Sequence, residues 1–412
     1  MTDVKKSMAL IERGAVEIHE KKELEARLAE GRPLRVKAGF DPTRPDLHLG
    51  HVVLMNKLRQ FQELGHHVIF IVGDFTAQVG DPTGRNKSRP PLTKEEVLAG
   101  AKTYAEQALK VLDKDKCEIR YNSEWLDKLT PQDLVRLAAR RTVARTMERR
   151  DFRERFENNQ DIYLHEFLYP LFQAYDSVAI EADIELGGTD QLFNLMVGRD
   201  LMGAYSMRPQ MVLTVPLLEG LDAKLVDGKV EGPKMSKSAD NYVGVAEPPF
   251  EQFRKLMLVN DGVIWRYFEL LSALPADEIA ALRAKCEAPG AAPREGQRVF
   301  AREIVTRFHG ADAAIEAETR YEAQRGSGAF PADAPSFTVA GDAAKGGIWV
   351  AKALELAKLA TSSSEGKRHV QGKSVTINGA RYTDAQGILA SGQTYEVIVG
   401  GKNKLFAKIT VA

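Results

Sequence analysis

The sequence predicts an α/β fold in three successive parts. A doubly wound parallel sheet spans residues 1–245, an all-α region spans 246–330, and a small α+β module spans 347–412 beyond a linker at 331–346. Three observations carry this reading. Up to about residue 245, apolar strand-like runs alternate with helical periodicity, the pattern of parallel strands joined by crossover helices. From Pro248 to about Arg325 only helical periodicity remains. Residues 345–412 then turn to short β-like runs and hold ten Lys or Arg against four Asp or Glu, so this end carries +6 and the remainder −6. A chain of 412 residues also exceeds what one ordinary core supports.

The elements follow in order. Residues 7–29 alternate apolar and charged positions at helical spacing and end near Gly31. Leu34 to Phe40 reads as a strand, followed by a loop with Asp41-Pro42-Thr43 and Pro45; His48 to Leu64 is a helix stopped by Gly65. Val68 to Val72 is nearly all apolar, as expected of a strand covered on both faces. A helix over 93–113, a strand over Glu118 to Tyr121, helices through 131–157 and strands near 182–186 and 211–215 complete the alternation. Residues 326–346 are rich in Gly, Ala and Pro. An amphipathic helix is expected over Ile348 to Leu359, with Ser364 and Glu365 at a second helix start.

Charge and cysteine content exclude several classes. Lys plus Arg and Asp plus Glu both total 57, which argues against a general nucleic-acid binder, so no DNA partner is expected. The basic end is the footprint of a module that meets a phosphate backbone, with a merely solvated basic surface as the alternative. Cys117 and Cys286 lie far apart and make neither a disulfide framework nor a metal knuckle; no metal site is expected. No apolar core follows Met1-Thr2-Asp3-Val4-Lys5-Lys6, and no run is long enough to cross a bilayer, so the expectation is a cytosolic chain without a membrane partner.

Two motifs point to nucleotide chemistry. His48-Leu49-Gly50-His51 puts two imidazoles three residues apart at a helix start, where backbone N–H groups and the helix dipole favour phosphate. Gly50 leaves room for a purine or ribose. Gly232-Pro233-Lys234-Met235-Ser236-Lys237-Ser238 offers two ammonium groups and two hydroxyls, suited to charge growing on a leaving pyrophosphate. Either alone could be a solvated surface feature.

Three further segments bear on the substrate, although the helical one could be a solvent-facing stripe and the glycine turn is uninformative by itself. Gly73 to Arg85 follows the buried strand and contains Thr76 and Asp81. Tyr169, Gln173 and Asp176 fall at i, i+4 and i+7 on one helical face, with Pro170 beginning or kinking that helix. Gly187-Gly188-Thr189-Asp190-Gln191 is a glycine-rich turn between strand and helix.

With both motifs in this order, the chain resembles the class I aminoacyl-tRNA synthetases, whose paired signatures read HIGH and KMSKS. From about residue 34 to 245 it is similar to the tyrosyl-tRNA synthetases in particular. The resemblance implies a Rossmann-like catalytic domain that binds ATP, with Mg2+ as its companion and no dedicated protein site for the metal, and activates L-tyrosine for transfer to tRNA(Tyr). By the same resemblance Asp81, Tyr169 and Gln173 hold the substrate amino group, Asp176 meets the phenol, and Gln191 orients the carboxylate end. Thr76 and Gly39 line the same pocket. Asp190, Gly188 and Gly50 meet the nucleoside; Thr43, His48 and His51 face the phosphates, with Lys234, Lys237 and Ser238 closing from the other loop. Arg85 and Arg89 match basic positions of a loop that also grips pyrophosphate. Many members carry a tyrosine where this chain has Lys37, so either Lys37 pairs with Asp176 or donates to the phenol, or this subgroup reads the ring differently.

Ser364-Glu365-Gly366-Lys367-Arg368-His369-Val370-Gln371-Gly372 resembles the small RNA-binding domain named after ribosomal protein S-four, which makes Lys367, Arg368, Lys373 and Arg381 candidate tRNA contacts and the helical region an anticodon-side domain. Residues 140–155 hold seven arginines among three acids, which by spacing alone reads as a solvated helix pair stitched by i,i+4 ion pairs. In the family this region lies near a homodimer interface and the acceptor stem, so replacing Arg149 and Arg150 is expected to lower tRNA charging more than adenylate formation. Tryptophanyl enzymes, shorter coenzyme-forming nucleotidyltransferases and an inactive RNA-binding paralogue are the competing readings; Asp176, the basic tail and the intact His48, His51, Lys234 and Lys237 argue against them.

Overall fold

The computed structural model describes residues 3–42, 46–83, 93–292, 294–327, 330, 334–342, 344, 346–400 and 405–412. Thr43, Arg85 and Arg89 lie outside them. Two compact units are present, residues 1–315 and 316–412.

The first unit is built on a six-stranded sheet of β1 (Glu17–Ile18), β2 (Arg35–Phe40), β3 (His67–Val72), β4 (Cys117–Tyr121), β5 (Ile184–Gly188) and β6 (Met211–Val215), in the order β1-β6-β5-β2-β3-β4. All neighbours are parallel except β1, which runs antiparallel to β6. The apolar run of β3 explains its central place: Val68, Ile69, Phe70, Ile71 and Val72 are each fully buried. Strand order reverses between β2 and β5, and in open α/β sheets ligands sit beyond the carboxyl ends of the strands at such a point.

Two differences from the sequence reading have local causes. Residues 7–29 are not one helical stretch but helices Val4–Glu12 and Lys21–Ala29 flanking β1. Gly14 takes a left-handed φ of 71°, and Val16 N–H then donates to Thr214 O at 2.8 Å, drawing the segment onto the sheet edge. A hairpin of β7 (Lys224–Val226) and β8 (Lys229–Glu231) was not foreseen; Asp227-Gly228, both at positive φ, makes its two-residue turn.

Helices Pro249–Leu256, Ile264–Leu271, Ala276–Glu287, Glu295–His309 and Ala311–Ser327 follow. The expected boundary at 245–246 does not separate compact bodies. Val243 O accepts from Leu49 N–H at 3.0 Å, and Asn56 Nδ2 donates to Leu270 O and Leu271 O, which ties the helices through Ile315 to the sheet.

In the second unit, residues assigned to a linker form β9 (Ser336–Val339), which pairs in parallel with β15 (Leu405–Val411). The intervening strands are β10 (Gly347–Trp349), β11 (Val375–Ile377), β12 (Ala380–Tyr382), β13 (Ile388–Ala390) and β14 (Thr394–Val399). Five make a sheet in the order β12-β11-β14-β15-β9, and β10 pairs with β13. The predicted helix over Ile348 to Leu359 is shorter, Val350–Leu356, because its first residues pair as β10. Helix Ser363–Gln371 is capped by Ser362, whose hydroxyl accepts from Glu365 N–H at 3.2 Å. Val350, Leu354, Val370, Val397 and Ile409 form the core. Among the described residues no helix is long and apolar enough to cross a membrane.

Candidate active site

A cavity of about 540 Å³ opens at the carboxyl ends of β2, β3, β5 and β6. It is lined by Gly39, His48, Gly50, His51, Thr76, Asp81, Tyr169, Gln173, Asp176, Gly188, Asp190, Gln191, Lys234 and Ser238 from the sequence reading, and by Asp41, Thr83 and Asn122 besides. Lys37 and Lys237 stand outside the lining.

At one end the histidine motif is a helix cap. His48 is the N-cap of helix Leu49–Glu63, its Nδ1 accepting from Gly50 N–H at 3.2 Å, while His51 Nδ1 accepts from His48 N–H at 3.2 Å. This reciprocal arrangement is a capping box with imidazoles in place of the usual hydroxyl and carboxylate. With each Nδ1 occupied as an acceptor, a neutral ring carries its proton on Nε2 as a donor. Burial pushes His48 down to about 2 and His51 down to about 4, with Lys234 and Lys237 adding repulsion, so both rings are neutral at physiological pH. Glycine at position 50 is also required by this cap, since a Cβ there would meet the His48 ring at 2.9 Å.

The lysine motif is brought to the same end by backbone pairing. Met235 N–H donates to Leu218 O at 2.7 Å, Gly220 N–H donates to Pro233 O at 2.9 Å, and Val245 N–H donates to Leu47 O at 2.9 Å, beside the histidine cap. Buried Met235 anchors the loop, and Ser236 N–H donates to Asn241 Oδ1 at 2.8 Å. Lys234 pairs with Asp190 at 3.1 Å and Lys237 with Asp46 at 3.1 Å.

The opposite end is carboxylate-rich. Helix Leu164–Ala179 carries Tyr169, Gln173 and Asp176 on one face, with Pro170 inside it rather than at its start. Asp176 is 3% exposed and accepts from Trp125 Nε1 at 2.8 Å and Asn122 Nδ2 at 3.4 Å. Burial pushes its carboxyl up to about 7, against the pull of Lys37 and those two donors. Asp41, held by Thr76 Oγ1 at 2.7 Å and Tyr169 OH at 2.9 Å, is likewise pushed up to about 7, chiefly by burial and also by Asp81 and Asp176. Asp81 accepts from Thr83 Oγ1 at 2.6 Å and from Gln191 Nε2 at 2.9 Å.

Two expectations are corrected here. Lys37 neither pairs with Asp176 nor reaches the cavity: its Nζ forms an ion pair with Glu185 at 3.0 Å and donates to Gln173 O at 3.3 Å. Arg149 is 5% exposed and, paired with Asp151 at 2.7 Å, is buried toward Asp81 and Thr83 rather than presented on an exposed face. It donates to Thr83 Oγ1 at 2.5 Å and to Asn194 Oδ1 at 3.2 Å, and lies 3.6 Å from Asp81. Arg150, in contrast, is exposed and pairs with Glu154 at 2.6 Å.

The sequence reading missed Asp41, Asn122, Trp125 and Glu185. Asp41 and Asn122 each stood directly after a predicted strand, which is where a parallel sheet presents ligand-facing groups; Glu185 is visible only once the register of β2 against β5 is known, and Trp125 only once its helix is placed against Asp176.

The pattern of the tRNA synthetases of class I (W and Y) matches residues 29–324. The tyrosine–tRNA ligase of Aromatoleum aromaticum is 51% identical over 412 residues, all of both chains, and that of Nitratidesulfovibrio vulgaris is 49% identical over the same span. The mitochondrial tyrosyl-tRNA synthetase of Aspergillus nidulans shares the fold at a TM-score of 0.64 and 22% identity, covering 77% of this chain and 93% of its own. The tyrosyl-tRNA synthetase of Archaeoglobus fulgidus, solved with L-tyrosine, gives 0.60 and 22%, over 77% of this chain and 99% of its own. With both signatures on one cavity and half of its residues shared with full-length relatives, the chain belongs to the tyrosine–tRNA ligases, class I synthetases that charge tRNA with tyrosine through an adenylate.

Proposed function

We propose that tyrosyl-adenylate forms across this cavity, with the tyrosine ring at the Asp176 end and the ATP phosphates at the histidine end. The observation that carries the reading is the separation of charge: Asp41, Asp81 and Asp176 at one end, two neutral histidines and Lys234 at the other. A zwitterionic amino acid suits the first and a polyphosphate the second. Asp81, Tyr169 and Gln173 take the ammonium group, Gln191 steers the carboxylate, and Asp176 accepts from the phenol. Thr76, on the cavity wall, holds Asp41 in place. Asp190 and the turn at Gly188 meet the ribose.

The tyrosine carboxylate is already a nucleophile, so its in-line attack on the α-phosphorus needs no general base; placement supplies the rate. As the bond to pyrophosphate breaks, His48 and His51 donate through Nε2–H while Lys234, Lys237 and Ser238 neutralise the leaving charge. Thr43, Arg85 and Arg89 are proposed for the same task. Mg2+ is assigned to the ATP phosphates, where it neutralises charge. Among the described residues no group of three His, Cys, Asp or Glu is placed to hold a metal, and imidazole N–H and ammonium donors receive phosphate oxygens rather than a bare cation. A terminal tRNA hydroxyl then attacks the carbonyl carbon and AMP leaves.

For tRNA we assign the C-terminal unit, through Lys367, Arg368, Lys373 and Arg381, with the helices after residue 245 on the anticodon side. Arg368, Lys373 and Arg381 are exposed, and Lys373 leads out of a helix in a left-handed conformation, φ 56°. A homodimer is supported by apolar surface at Phe156 and Leu164, 68% and 82% exposed. The cytoplasm is the proposed compartment.

ATP–pyrophosphate exchange and tRNA charging test the two steps together. Exchange is expected with tyrosine well above phenylalanine or tryptophan. Replacing Lys367, Arg368, Lys373 and Arg381 together with alanine should raise KM for tRNA by about 10- to 100-fold at moderate salt, since phosphate contacts dominate such affinity. Exchange should stay within about twofold, as no new group is buried. Exchange driven equally by phenylalanine, or an unchanged tRNA KM, would overturn the respective assignment.

Arg149→Ala gives a separate check. Removing a buried cation from Asp81 and Thr83 should raise KM for tyrosine by about 10-fold or more, in exchange and charging alike. Arg150→Ala should leave exchange unaltered. A charging defect with normal exchange in Arg149→Ala would return that residue to the RNA face.

A further inference from the structure

Behind the wall of the tyrosine end lies a buried ion pair that touches no cavity surface. Lys37 on β2 and Glu185 on β5 are direct partners in the parallel ladder, each 1% exposed, with Nζ and Oε1 3.0 Å apart. Neither group wastes its bonding capacity. Glu185 Oε1 also accepts from Gln173 Nε2 at 3.4 Å, and Oε2 accepts from Ser177 Oγ at 2.9 Å and Gln210 Nε2 at 2.8 Å. Lys37 donates a second bond to Gln173 O at 3.3 Å. The pair therefore grips Gln173 at both its backbone and its side chain. Ser177, one residue beyond Asp176, is gripped as well.

A buried ion pair is poor evidence of stability, because desolvation offsets most of the attraction. Its placement against two substrate-facing residues needs another reason. Asp176 is an uncompensated carboxylate in a buried wall, with only neutral donors, Trp125 and Asn122, in hydrogen-bond contact. Among the described residues, the charged and titratable groups that act on it directly include Lys37 from β2, Asp41 beyond the end of β2, Glu185 from β5 and Tyr169 on its own helix, while Arg120 from β4 lies farther off, 5.3 Å from the centre of the Trp125 ring. Lys37 is the cation among those that act directly. It draws the Asp176 proton off, and Glu185 acts in the opposite sense.

We infer that Lys37 and Glu185 form a positioning pair for tyrosine recognition: Lys37 supplies the counter-charge that keeps Asp176 an ionised acceptor for the phenol, and Glu185 holds that ammonium back from Asp176 while fixing Gln173 for the amino group. This rests on the reading of Asp176 as the phenol acceptor. It also says why neither residue reaches substrate. An ammonium in direct contact with Asp176 would compete with the phenol for the same oxygens.

Opposite signs follow for the two halves. The test is the pH dependence of kcat/KM for tyrosine in ATP–pyrophosphate exchange, with KM for ATP and thermal unfolding measured alongside. Lys37→Met removes the cation, so the acid limb should move up by about one pH unit, a roughly tenfold loss near neutrality. Glu185→Gln frees the ammonium to draw on Asp176, so the limb should move down while KM for tyrosine rises. The double variant restores neutrality and should return the limb to within about half a unit of the parent, a non-additivity that only coupled residues produce. Lys37→Arg, which keeps the charge, should shift the limb least.

Shifts in the same direction for Lys37→Met and Glu185→Gln, no shift in either, or equal losses for tyrosine and ATP would overturn the pair. If Lys37→Met does not fold, the direction in Glu185→Gln decides alone. Asp176→Asn separates the two levels, since Asp41 also titrates near the same pH. A limb that survives in Asp176→Asn belongs to another group such as Asp41 and refutes the pair's action through Asp176, whereas an unchanged KM for tyrosine in that variant refutes the acceptor role itself; a limb that vanishes there, with the pair variants unshifted, refutes only the pair.

Discussion

Asp176→Asn is expected to lower kcat/KM for tyrosine in ATP–pyrophosphate exchange by about 10²- to 10³-fold, with KM for ATP little changed. The reason is donor arithmetic. Trp125 Nε1–H and Asn122 Nδ2–H already point at the two carboxylate oxygens, and a bound phenol brings a third donor. An ionised carboxylate accepts all three. An amide offers one oxygen and turns an NH2 toward one of the donors, leaving a buried clash. Loss of a charge-assisted bond plus an unsatisfied donor costs about 3–4 kcal/mol, and each 1.4 kcal/mol is tenfold. Stability should respond in the opposite sense. Asp176 has a folded-state carboxyl raised to about 7 from 3.8, so its favourable contribution is complete below about 4 and is lost as pH rises through about 7. The asparagine variant avoids that loss, and its Tm above pH 7 should equal or exceed that of the parent. An unchanged KM for tyrosine, or a Tm that falls sharply, would sink this account.

The same residue shows what could be read from the sequence. Tyr169, Gln173 and Asp176 share a helix, and a helix fixes its own faces, so their convergence followed from spacing alone. The strands were legible for the same reason: Val68 to Val72 announces a doubly covered strand by composition. Lys37 was different. Its neighbour Glu185 lies on a strand far along the chain, and only the parallel register of β2 against β5 makes them partners. Arg149 was misread because an arginine-rich segment looks uniformly solvated until the fold buries one member against Asp81 and Thr83 while leaving Arg150 in water. The helix boundary at Gly14 and the β9 strand failed similarly, since pairing with β6 and β15 overrode weak local preference. What one element determines was visible, and what two distant elements determine together was not.

The second large effect is expected at the other end of the cavity. Lys237→Ala should lower kcat for exchange by about 10²- to 10³-fold, the usual loss when one preorganised donor to developing charge is removed. KM for tyrosine should stay within about twofold, because the substitution lies beyond the phosphates and away from every group at the Asp176 end. The loop itself should persist. Its anchors are Met235 N–H to Leu218 O, Ser236 N–H to Asn241 Oδ1 and the buried Met235 side chain, none of which involves the lysine amine. In the resting chain Lys237 is held by Asp46 at 3.1 Å and stands 5.8 Å from the Tyr242 ring centre, with 13% of its side chain exposed. Lys234, at 56%, is far more solvated. The charge nearer to a desolvated environment is felt more strongly, so Lys234→Ala should cost less in kcat than Lys237→Ala. Asp46→Ala supplies the control for the holding interaction. If Asp46 only parks the ammonium between turnovers, its removal should leave kcat intact or raise it slightly. A fall matching that of Lys237→Ala would mean that Asp46 aims the lysine at the leaving pyrophosphate, and the ion pair would then belong to the working geometry rather than to the resting one.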